Sequence, residues 1–73
     1  MTPAEIFELI IKADEKLKYA TAGNAETRRA QARALLEEAL AAAREAGNEA
    51  LIAQAQTRMA DLDSPPEDSP PRG

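Results

Sequence analysis

The chain has 73 residues, enough for one small domain, and a formal net charge of −4, which argues against nucleic acid as a partner. It contains no cysteine and no histidine. Disulfides, thiolate chemistry, the usual transition-metal sites and the commonest general base are therefore excluded, and no apolar run approaches the ~20 residues of a membrane span.

Thr2-Pro3-Ala4-Glu5 has the form of a helix start. Thr2 can cap, Pro3 suits the first helical position, and Glu5 stands where the reciprocal partner of a capping box belongs. The first helix is expected over about 3–21. Ile6, Ile10, Ala13, Leu17 and Ala20 draw one apolar stripe along it. Phe7 and Ile11 extend the stripe on one side, and Leu9 sits off its edge. Glu8 with Lys12 and Asp14 with Lys18 are spaced as i,i+4 pairs on the outer face.

A Gly-Asn pair at 23–24 and another at 47–48 bracket a segment without Gly or Pro. Glycine just past a helix end can take the left-handed backbone, and the following Asn can cap the next helix. Each pair therefore predicts a tight reversal between helices. The bracketed segment, 25–46, is rich in Ala, Leu, Glu, Arg and Gln, the strongest helix formers, and predicts a rod of roughly 33 Å. Ala32, Leu36, Ala39, Leu40 and Ala43 form its inward stripe, flanked by Leu35 and Ala46. Such small residues would let neighbouring helices approach closely. Its first turns, carrying Glu26, Thr27, Arg28 and Arg29, offer almost nothing large to bury and are expected to fray or face solvent.

A third helix is predicted over about 49–62, with Leu51, Ile52, Ala55, Met59 and Leu62 inward. From Asp63 the composition changes to Asp-Ser-Pro-Pro-Glu-Asp-Ser-Pro-Pro-Arg-Gly, which predicts a disordered, extended tail over 63–73. The expected architecture is all-α, an antiparallel up-down-up three-helix bundle over 1–62 followed by that tail.

No catalytic, cofactor-binding or metal-ligating set is found. Glu37 and Glu38 are adjacent and point about 100° apart on their helix, so they cannot converge as an acid/base pair. Tyr19, the sole phenol, has no activating partner near it in sequence. No Gly-rich phosphate loop or nucleophile elbow is present. Arg28, Arg29, Arg33 and Arg44 are interleaved with Glu26, Glu37, Glu38 and Glu45, and this pattern reads as a solvated mixed-charge face. The serines before the paired prolines form two-residue patterns, and the tail reads first as a solubilising terminus.

The apolar residues that one pair of helices need not cover carry the functional expectation. Phe7, Leu9 and Ile11 are the candidate partner-binding residues, because the chain is so poor in large side chains that a shared interface would help hold it together.

From Ala32 onward the sequence resembles a tetratricopeptide repeat. Ala32, Leu36, Ala39 and Leu40 match the small–large–small–Leu positions of that repeat's second helix. On the same alignment Ile52, Ala55 and Met59 take the apolar positions of the next repeat's first helix. Gln56 stands at a position that is usually small, and the closing Pro is missing. About one and a half repeats are present. The resemblance implies a scaffold for protein–protein contact without chemistry, and the short length favours self-association or docking over a concave peptide groove.

The expected function is thus a small non-catalytic interaction module acting through a helix face. Its partner would be a protein or a second copy, without cofactor, nucleic acid or membrane, in the cytoplasm. The alternative is a regulatory or inhibitor subunit that occludes an enzyme or transcription factor. A ligand pocket between the helices ranks third, since a small-residue core leaves little room for one.

Overall fold

A computed structural model describes residues 1–63. Three helices run in order: α1 over Pro3–Lys18, α2 over Ala25–Ala46 and α3 over Glu49–Asp63. The start of α1 forms as expected. The Glu5 N–H donates to the Thr2 hydroxyl at 3.1 Å, and the Thr2 N–H donates to the Glu5 carboxylate at 2.9 Å. This reciprocal pair satisfies two of the free donors that every helix start leaves.

The first helix stops at Lys18, short of the expected Thr21. The reason is local. The Thr21 N–H donates to the Asn24 side-chain oxygen at 2.6 Å, while the Ala20 N–H reaches only three residues back, to Leu17 O at 3.2 Å. The helical ladder cannot continue once these donors are diverted. Asn24 consequently faces backward, and α2 begins without a side-chain cap.

At the second reversal the structure follows the expectation. Gly47 adopts φ 68°, ψ 26°, in the left-handed region. Its N–H donates to Arg44 O at 3.1 Å and the Asn48 N–H donates to Ala43 O at 3.0 Å, the paired bonds of a Schellman motif. The Asn48 side chain then accepts from the Leu51 N–H at 3.2 Å and caps α3. One dipeptide closes α2 and opens α3.

Charged contacts at the helix ends fix the relative directions. Arg29 donates to the Leu62 carbonyl and Arg33 pairs with Asp63, so the start of α2 lies against the end of α3. At the start of α2 Glu26 and Thr27 face solvent, one of the two expected outcomes, while Arg29 and Arg33 tie that end to α3. One boundary is revised: Asp63 belongs to α3 rather than to the tail. The expected disordered tail, from Ser64 onward, lies outside the described residues.

The core is a seam through the middle helix. Ile6 and Ile10 from α1, Leu36 from α2, and the alanines Ala13, Ala32, Ala39, Ala43 and Ala55 are fully buried, with Leu51 and Leu62 closing one side. Leu17, Leu40, Ile52 and Met59, also expected inside, pack partly buried against this cluster. Among the described residues no polar or charged side chain is buried. Both α1 and α3 pack chiefly on α2 and meet each other over little of their length. The body is accordingly flat, 42 × 22 × 14 Å.

Candidate functional site

The two flanks of α1 are chemically different, and helical spacing explains why. On one flank Phe7, Ile11, Asp14 and Lys18 stand at i, i+4, i+7 and i+11, a single row. Asp14 marks which way the row faces, because its carboxylate accepts from the Arg58 guanidinium of α3 at 3.1 Å through both oxygens. The expected partner of Asp14 was Lys18, one turn along the same helix. Arg58 reaches it instead from across the α1–α3 gap, its single Nε–H shared between the two carboxylate oxygens while Nη1 donates to Gln54 on its own helix.

Beside that ion pair the row is apolar and open. Phe7 is 43% exposed and Ile11 is 36% exposed. Their neighbours Ile6 and Ile10 are fully buried, so the helix places one Ile in the core and the next large residue in solvent. Leu9, the third candidate, is not part of this row. It is half-buried and packs against the core cluster, two residues from Phe7 and hence on the far side of the helix. Of the three partner-binding candidates, the structure therefore brings Phe7 and Ile11 together and sets Leu9 apart.

The opposite flank of α1 carries Lys12, Lys16 and Tyr19, again at i, i+4 and i+7. With Glu15, and with Arg28 and Leu35 from α2, they line an open groove of about 370 Å³. A small-residue core is expected to leave little room for a pocket between the helices, and this groove between α1 and α2 departs from that expectation. The sequence shows Lys12 as an outer-face pair partner, Tyr19 as a lone phenol, Arg28 in a mixed-charge face and Leu35 at the edge of a stripe, and nothing within one helix brings them all together. The signal present was the helical spacing of Lys12, Lys16 and Tyr19.

Among the described residues no group of three or more His, Cys, Asp or Glu could hold a metal ion. No helix there is long and apolar enough to cross a membrane. What the arrangement offers is surface: an apolar row on one side of α1 and a cationic groove on the other. No family model matches the chain, and comparisons with curated proteins and with solved structures give no match either.

Proposed function

We propose that this protein is a small non-catalytic interaction module that works by burying the Phe7–Ile11 row of α1 against a second protein surface, in the first instance another copy of itself. One observation carries the reading: two large apolar side chains share one exposed face of α1, in a chain with very few large residues to spare. Fully burying such a side chain is worth roughly 1.5–3 kcal/mol, and domains of this size are often marginal alone. A two-fold contact presents the same apolar pair from both sides, so a single row can form a complete interface.

The tetratricopeptide-like reading belongs to the same proposal. It is supported by a middle helix shared between its two sequence neighbours, an order of packing in which each added helix leaves an outer face to be covered.

The test is sedimentation over a range of concentrations. The protein is expected to pass from monomer to dimer, and its melting temperature to rise with concentration, as mass action requires. Phe7→Glu should weaken association by about tenfold or more, because a carboxylate in the contact must be desolvated. Tyr19→Glu, which alters the other flank, should leave it nearly unchanged. A monomer at every concentration would remove self-association from the proposal.

A further inference from the structure

The geometry points to a second, separate site: the groove between α1 and α2 is a binding surface for an acidic peptide segment of another protein. The argument begins with charge. The chain as a whole is acidic, with 13 Asp and Glu against 9 Lys and Arg. Yet the groove is lined by three cations, Lys12, Lys16 and Arg28, and one carboxylate, Glu15. Local and global charge have opposite signs.

Three of the four other cations of α2 and α3 serve the fold; the fourth, Arg44, is exposed near the end of α2 and is in no ion pair among the described residues. Arg58 is paired with Asp14, Arg33 with Asp63, and Arg29 caps the Leu62 carbonyl. Lys12, Lys16 and Arg28 take part in no ion pair among the described residues, although Glu15 stands in the same groove. Lys16 and Arg28 are also half-buried, so water screens their charges less completely than it would on an open helix face. Lys18 belongs to the other flank and is not part of the lining, although its ammonium stands 5.7 Å from the centre of the Tyr19 ring.

The remaining lining explains why a peptide fits better than a bare anion. Leu35 supplies an apolar patch, and Tyr19 offers a ring face with a hydroxyl at its tip. A segment with carboxylates flanking an aliphatic side chain would meet all of these groups at once. Lys12 and Lys16 are one turn apart, about 6 Å along α1, so two carboxylates on an extended or helical segment can each find a cation. The groove is open along the helices and does not enclose its occupant, which suits a chain that enters and leaves it. This site stands apart from the Phe7–Ile11 row and does not depend on self-association.

Tyr19 is the only tyrosine and the chain has no tryptophan, so its fluorescence reports on this groove alone. The probe is a blocked peptide of glutamate and leucine without aromatic residues, added to the full-length protein. A saturable change in Tyr19 emission is expected, weakening as salt is raised. In the double variant Lys16→Gln with Arg28→Gln, whose helicity is checked by circular dichroism, affinity should fall by about tenfold or more. Arg44→Gln, outside the groove, should leave affinity within about twofold. Phe7→Glu should likewise leave it unchanged, which separates this site from the dimer contact. The proposal is overturned if no saturable change occurs or if a glutamine–leucine peptide binds as well. It is equally overturned if Arg44→Gln costs as much as the double variant, or if inorganic phosphate competes at the peptide's own affinity. A change in the sedimentation of the protein alone on mutating Lys16 and Arg28 would mean that another copy fills the groove, and would also overturn it.

Discussion

The dipeptide Gly-Asn occurs at both reversals of this chain, and the two copies behave differently. At 47–48 the glycine is left-handed and the asparagine caps the helix that follows. At 23–24 the backbone of Gly23 is not left-handed, and the asparagine side chain turns back to Thr21. The difference lies in what precedes each pair. Ala46 is the last residue of an unbroken helix, so Gly47 is the first position at which the chain can reverse. Before Gly23, α1 has already ended at Lys18, and residues 19–24 make the turn without it. A local motif acts as a helix stop only when a helix arrives at it.

The largest effect that would test this contrast is expected at Gly47. Gly47→Ala must hold a Cβ in the left-handed region, where nothing lies within 4 Å, so the whole cost is backbone strain, about 1–2 kcal/mol. Gly23→Ala meets only the Thr21 hydroxyl oxygen at 4.0 Å. It should be neutral or stabilising by a few tenths of a kcal/mol, since it restricts the unfolded chain. Melting curves of the two variants should therefore shift in opposite directions or by clearly unequal amounts. Equal losses would show that both glycines serve one purpose.

The asparagines give the next effect. Asn48→Ala removes a helix cap and should cost about 1 kcal/mol, whereas Asn24→Ala loses one exposed turn bond worth about 0.5 kcal/mol. Chemical denaturation can resolve that gap. The smallest effect is expected where the chain has no Gly-Asn at all, across the α1–α3 gap. The Asp14–Arg58 pair is partly exposed, with side-chain accessibilities of 43% and 28%, and a double-mutant cycle should return less than about 1 kcal/mol.

Much of this architecture is legible in the residues themselves. The Thr2–Glu5 capping box, the Gly47-Asn48 reversal and the 25–46 helix all follow from rules that act within a turn or two of chain, and the structure contains each of them. The buried set is legible for the same reason, since Ile6, Ile10, Leu36, Leu51 and Leu62 sit on stripes that periodicity alone defines. What escapes the sequence is cross-chain choice. Asp14 has a lysine one turn away and takes an arginine 44 residues distant. Asp63 begins a proline-rich composition and is nonetheless retained in α3, where Arg33 reaches it. Leu9 is a different case: its place away from Phe7 and Ile11 follows from 100° per residue, but that its side of the helix is covered by the core cluster rather than left open depends on how the helices pack. The groove residues were likewise readable in their spacing, but that they form no ion pair among the described residues, as Arg33 and Arg58 do, becomes visible only in the structure.

The shared middle helix also bears on how the chain reaches this structure. Most of its packing joins elements adjacent in sequence, α1 with α2 and α2 with α3. Contact order is therefore low, a property associated with folding in microseconds to milliseconds. Either helical hairpin can form first without waiting for the opposite end of the chain. The Arg29 and Arg33 contacts at the end of α3 and the Arg58 bridge to α1 span 30 to 44 residues, and they are polar and at or near the surface. Such ties fasten the body after collapse rather than direct it, and a nucleus built at Gly47-Asn48 would already hold α2 and α3 in place to receive them.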